Sequence, residues 1–183
     1  MDIWKIENVI AVSHLGKEIE LLKLATEIPD AKYSSSGNPS VIIEIEADSK
    51  KKAAGVLFAN GKIIVTGVNS LNEGKNVMTK LKNIVSTIDK KINMKRAIKL
   101  ENIVARTNLE QLLDLQAIAL AIPGSEYDPT RFQGLILRMN KPSASFILFQ
   151  SGVSIITDVP SEAKAKKAIN ELKKFMKDAS LIS

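Results

Sequence analysis

Hydrophobic positions along this chain change their period several times, and the same changes come round again about ninety residues later. "ENVIAV" and, further on, "ENIVAR" are β-branched runs that read as strand starts. "GKEIELLKLATEIP" (16–29) and "EQLLDLQAIALAIP" (110–123) repeat apolar residues at helical spacing and stop at a proline, which predicts a short amphipathic helix in each. "SVIIEIE" (40–46) and "GLILRMN" (134–140) return to strand patterning. "AAGVLFANGKIIVTGV" (53–68) and "SFILFQSGVSIITDV" (145–159) read as strand, turn and strand. The turns fall at Asn60-Gly61 and Ser151-Gly152, where glycine takes a positive φ at little cost. A longer helix closes each set. Over 70–90, Ser70 and Glu73 have the spacing of a capping box, and Val77, Leu81, Ile84, Val85 and Ile88 share one face. Over 161–178 the stripe is Ala165, Ala168, Ile169, Leu172, Phe175 and Met176. Lysines fill the other faces of both helices, as a solvated exterior or as a docking surface for an anionic partner.

The two sets are one unit written twice. "IENVIAVSHL" (6–15) matches "LENIVARTNL" (100–109) at an offset of 94, continuing through Leu21 with Leu115, Pro29 with Pro123 and Tyr33 with Tyr127. At the strand–turn–strand stretch the offset is 91, which sets Phe58 on Phe149, Gly61 on Gly152 and Thr66 on Thr157. The first copy therefore carries three extra residues (94 less 91), placed near "EADSKKK" (46–52). The copies are residues 1–93 and 94–183, joined by the basic connector "DKKINMKRAI" (89–98). Two copies are too few for a stacked solenoid, so this is a duplication within one pseudo-symmetric unit.

Strand alternation then assigns faces. With Leu57, Ile63 and Val65 turned toward the helices, Val56, Phe58, Lys62, Ile64 and Thr66 turn away. The second copy sends Ile147, Phe149, Ile155 and Thr157 the same way, and the first strands add Asn8 and Ile10, then Asn102 and Val104. A face of Val, Ile, Phe, Thr and Asn is too apolar to be idle surface. A second core layer or a homodimer interface would cover it. So would a flat ligand with apolar walls and an edge that amides can read, and the DNA minor groove has that character.

Composition narrows the field. Hydrophobic residues at 45% and charged residues at 25% are those of a globular chain. No apolar run approaches the ~20 residues of a membrane span, and "MDIWKIENVI" lacks a signal-peptide pattern. With no cysteine and a single histidine, His14, disulfides, thiolate metal sites, thiol nucleophiles and most His-dependent triads are excluded by counting. His14 itself reads as a solvated strand-end residue. No phosphate-cradling glycine loop or metal spacing appears, and Glu7 and Glu101 recur as repeat features, so neither a cofactor nor an enzyme is expected. The net charge of +6 favours an anionic partner.

"ENVIAV" and "ENIVAR", "YDPTRFQGLILRMNKP" (127–142), and "LFANGKIIVTG" with "LFQSGVSIITD" together resemble the TATA-box-binding protein family across nearly the whole chain. That resemblance implies an α+β fold: a tandem duplicated saddle, one curved ten-stranded antiparallel sheet with four helices on the convex side. The function it implies is general transcription initiation beside the nucleoid of an archaeal-type cell. The chain would bind the minor groove of TATA-box promoter DNA, bend it, and recruit transcription factor B and, indirectly, RNA polymerase. The kink of roughly 80° is the family's own figure and does not come from these residues. The resemblance implies site roles as well. Asn8 and Asn102 would donate to base edges, flanked by Thr66 and Thr157. Ile10, Val104, Ile64 and Ile155 would pack on sugars and bases, with Val56 and Ile147 supporting the wedges. Phe58, Phe149 and Phe132 would be wedges, Arg138 and Lys62 would meet phosphates, and Asp128 would meet transcription factor B.

The chain departs from the family's pattern in places. Asn38 stands where Phe132 stands in the second copy, so one of four wedges is missing. Glu44 stands opposite Arg138 in the repeat, Val153 opposite Lys62 and Asp158 opposite Gly67, while Thr130 and Arg131 replace an acidic–apolar pair. The missing wedge and Glu44 favour a second reading, a regulatory paralogue or protein-interaction module using the same saddle with weak or no TATA specificity, while the paired asparagines and threonines keep the first ahead. Selective bending of TATA-containing DNA separates the two.

Overall fold

A computed structural model describes residues 4–49, 51–94 and 97–182. Parts of the expected connector and of the 46–52 stretch lie outside the described residues. The chain folds as two compact units, Asn8–Glu101 and the residues from Asn102 onward with the opening of the first strand. In chain order the first unit holds β1 (Lys5–His14), α1 (Leu21–Glu27), β2 (Lys32–Ser34), β3 (Ser40–Glu46), β4 (Lys52–Phe58), β5 (Lys62–Val68) and α2 (Leu71–Ile88). The second holds β6 (Lys99–Asn108), α3 (Leu115–Ala121), β7 (Ser125–Glu126), β8 (Leu135–Asn140), β9 (Ser143–Leu148), β10 (Val153–Val159) and α4 (Glu162–Asp178). The strand order is β2-β3-β4-β5-β1 in the first unit and β6-β10-β9-β8-β7 in the second. Pairing inside each unit is antiparallel.

Each unit packs its long helix on one sheet face. In the first, Val9, Ala11, Val41, Leu57, Ile63 and Val65 bury against Val77, Met78, Leu81 and Val85. Gly55 makes this close packing possible, because a Cβ there would stand 2.2 Å from Leu81 Cδ1. In the second, Phe146 takes the matching place and is fully buried, with Ala168 where the first unit has Val77. Volume removed from the helix is returned by the sheet. Phe175, expected in the α4 stripe, is instead 43% exposed; it lies at the margin of the face that Met176 and Leu172 fill.

The expected helices over 16–29 and 110–123 start late. Gly16 and Glu110 both take positive φ, which ends the preceding strand sharply. Leu15 and Ile19 then donate backbone N–H to Gly61 and Ala59 carbonyls, and Leu109 and Leu113 to those of Gly152 and Gln150. These segments lie along the hairpin turns before any helix begins. His14 ends β1 half-buried, and its Nδ1 accepts from Gly16 N–H at 2.9 Å, so it fixes this corner as well as meeting solvent.

The three extra residues fall as expected. Residues 47–51 link β3 to β4, whereas residues 141–142, with a cis Lys141-Pro142 bond, link β8 to β9. The longer loop is tied to α2. Ser70 Oγ caps Glu73 N–H, but the Glu73 carboxylate accepts from Asn69 and Ser49 N–H, both at 2.8 Å, and not from Ser70 as a closed capping box requires. Burial of Glu73 works against its charge, yet those amides outweigh it and hold the carboxyl below its ordinary 4.5. Because the folded group is the stronger acid, its stabilisation is whole above that ordinary value and is lost as pH falls through the lower folded one. Glu73→Ala strands two donors and is expected to cost about 1–3 kcal/mol at pH 7. Urea midpoints measured from pH 7 to 3 should fall less steeply in the variant than in the parent.

Candidate nucleic-acid interface

The sheet face away from the helices carries the expected set. Val56, Phe58, Ile64 and Thr66 with Asn8 and Ile10 are half-buried on the first unit's outer face, and Val104, Ile147, Phe149, Ile155 and Thr157 with Asn102 on the second's. Their neighbours one residue along are buried, as alternation requires.

The asparagines are not loose side chains. Asn8 Nδ2 donates to Thr66 Oγ1 at 2.9 Å, while its Oδ1 accepts from Gly67 N–H at 2.8 Å. Asn102 Nδ2 donates to Thr157 Oγ1 at 3.0 Å and its Oδ1 accepts from Val159 N–H at 3.2 Å. A backbone N–H thus fixes which side of each amide is carbonyl. Each NH₂ keeps a second donor beyond the one its threonine takes. The device depends on a bulge in each unit. Between Val9↔Val68 and Ala11↔Val65 the register slips, as it does between Ile156↔Ala105 and Val159↔Ile103. Gly67 at φ 82° and Asp158 at φ 61° take the left-handed turn there. Aspartate tolerates that conformation better than most side chains, so the departure from glycine leaves the bulge standing.

Phe132, 44% exposed, meets Phe149 edge to face with centroids 6.1 Å apart. Asp128 builds the loop that holds it: Oδ1 accepts from Thr130 N–H at 3.0 Å and its hydroxyl at 2.6 Å, and the Asp128 carbonyl accepts from Phe132 N–H at 2.9 Å. Among the described residues no second ring stands beside Phe58. Asn38, Pro39, Phe58, Ala59, Asn60 and Lys62 line an open cleft of about 360 Å³ instead.

Cations at the rim are engaged by carboxylates. Lys62 Nζ lies 3.7 Å from Glu101, and Arg138 is bonded to Glu126. Glu44 bridges Lys32 at 3.0 Å and Lys52 at 3.2 Å, and those lysines, Lys32 foremost, hold its carboxyl below the ordinary range. Lys32 and Glu44 occupy the repeat positions of Glu126 and Arg138 with the signs exchanged. Sequence reasoning singled out Glu44 and Arg138 but missed their partners. The offset of 94 that pairs Tyr33 with Tyr127 pairs Lys32 with Glu126 too, and would have shown both reversals together.

Residues 3–89 and 97–179, one stretch in each copy, match the family described as transcription factor TFIID (or TATA-binding protein, TBP). The chain belongs to the TATA-binding protein family. It is 31% identical over 178 residues to the TATA-box-binding protein of Methanobrevibacter smithii, with 97% of each chain covered. It is 32% identical to that of Methanothermobacter thermautotrophicus, again with 97% of each covered. Among solved structures, Methanococcus jannaschii TBP matches with a TM-score of 0.83 at 30% identity, covering 96% of this chain and 98% of that one. TATA-binding proteins are transcription factors and not enzymes.

Proposed function

We propose that this chain is a general transcription initiation factor that binds the minor groove of TATA-box promoter DNA, bends it, and recruits transcription factor B and through it RNA polymerase. The observation that carries the reading is the oriented amide in each unit. A·T and T·A pairs both present only acceptors in the minor groove, and G·C pairs add a donor. A pair of fixed NH₂ donors therefore favours A·T-rich sequence without telling A·T from T·A. Ile10, Ile64, Val104 and Ile155 surround these donors with apolar contacts for sugar walls. Phe132 and Phe149, braced by Ile147, supply the wedge, and Phe58 and Val56 hold the matching positions on the first unit's face. Lys62 and Arg138 would turn from their carboxylates to phosphates. Asp128, in the loop beside the wedge, would meet transcription factor B. The work would be done at the nucleoid, each repeat acting as one half of the grip. The free protein would shield the same face by pairing with a second copy.

End-label energy transfer on a TATA-containing duplex and a scrambled one, at two salt concentrations, tests this. Selective binding with a large bend is expected. Because part of the rim charge is already paired, the slope of log affinity against log salt should be shallow, each phosphate contact adding about 0.9. Weak, unbent binding to both duplexes would transfer the face to a protein partner, the reading that Asn38 and Glu44 favour.

A further inference from the structure

Gly134 explains how the second unit seats its ring. A Cβ at that position would stand 2.6 Å from Phe132 Cε1 and 2.9 Å from Ile147 Cγ2, so the ring occupies room that only glycine leaves. The β8–β9 ladder pairs Leu135 with Leu148, which sets Gly134 across from Phe149. The first unit has the same rung, Ser40↔Phe58, but Ser40 is buried and carries a Cβ. Asn38 replaces the ring, Pro39 comes next, and the space beside Phe58 is the open cleft. Side chain and seat are therefore both changed, and a lone substitution would not restore the wedge. The same unit carries Glu44 with two lysines drawn onto it where the other has Arg138 bonded to Glu126.

We propose that this chain kinks duplex DNA at one end only. The inference rests on the minor-groove reading above. Unstacking a base step costs about as much as burying one phenylalanine returns, so a braced pair of rings exceeds the cost and a single ring does not. Phe132 and Phe149 open a step. At the other end Phe58 lies flat against a stacked groove, with Asn38, Asn60 and Lys62 along its edge. Pyrimidine–purine steps open most readily, so the sequence demand for such a step applies to one end of the site alone.

Three duplexes with one A·T-rich core test this with the full chain: a pyrimidine–purine step at both ends, at one end, or at neither, each end otherwise stiffened with an A-tract. Binding to the first two is expected to agree within about twofold, the statistical factor for two orientations. The third should bind about tenfold more weakly or worse and show little bend. Equal losses at each removal would overturn the inference and restore two kinks. If the first duplex binds no better than a scrambled one, the minor-groove reading itself falls. The double variant Asn38→Phe/Ser40→Gly should convert the pattern to equal losses, whereas Asn38→Phe alone should leave it unchanged.

Discussion

Phe149→Ala is expected to remove most of the bend in TATA-containing DNA and to weaken binding by about 10- to 100-fold, while the protein unfolds at nearly its usual temperature. The magnitude comes from losing one buried phenyl group, about 1.5–3 kcal/mol, with each 1.4 kcal/mol worth tenfold. The fold should survive because the ring lies on the helix-free face, and the Phe149 N–H still donates to the Val153 carbonyl at 3.0 Å. Truncation also removes the edge-to-face partner of Phe132, so that ring loses its brace. Phe58→Ala should change the bend far less. Energy transfer for the bend and a thermal melt for the fold check both variants together; unchanged bending by Phe149→Ala would remove the wedge from this position.

The second large effect is electrostatic. Asn102→Asp keeps the shape of the side chain but exchanges its NH₂ for a carboxylate oxygen. Thr157 can turn its hydroxyl to donate, and Val159 N–H still has an acceptor, so the local fold is kept. Against DNA the change removes a donor and points a negative charge at groove acceptors. Like charges brought together at an interface cost several kcal/mol, so affinity should drop about 100-fold or more. Asn8→Asp should behave alike, with Gly67 N–H as the anchor. Anisotropy titrations on labelled duplex decide it. Loss of a tenth of that size in either variant would mean that the amide faces solvent in the complex.

The fold was legible in the chain wherever the physics is local. The hairpins and long helices could be read because burial of one face imposes its period on many consecutive residues. β2 and β7 were not legible from patterning, since three and two residues at the edge of a unit bury no stripe of their own. The late starts of α1 and α3 also escaped. They depend on positive φ at Gly16 and Glu110 and on bonds to a turn 37 to 46 residues further along the chain. At the site, alternation placed Phe58, Ile64, Phe149 and Ile155 on one face, and it required no family knowledge. The wedge, phosphate and base roles needed the resemblance. Neither source foresaw that the asparagine carbonyls are pinned by bulged backbone, or that Gly134 makes room for Phe132. The first joins segments remote in sequence, and the second depends on how the loop built by Asp128 folds Phe132 back over Gly134.

The exchanged ion pairs have a bearing on how such a chain changes over time. Glu44 lies between Lys32 and Lys52, and Arg138 lies against Glu126. Copying the second half into the first by Glu44→Arg alone would crowd three cations together, and Arg138→Glu alone would set two carboxylates face to face. Either move is sound only when its partner moves as well. Exchanging the charges at this rim with the ion pairs kept therefore takes linked substitutions within each half. Anyone grafting the binding edge of one half onto the other inherits the same constraint, and must treat Lys32 with Glu44, and Glu126 with Arg138, as single heritable characters.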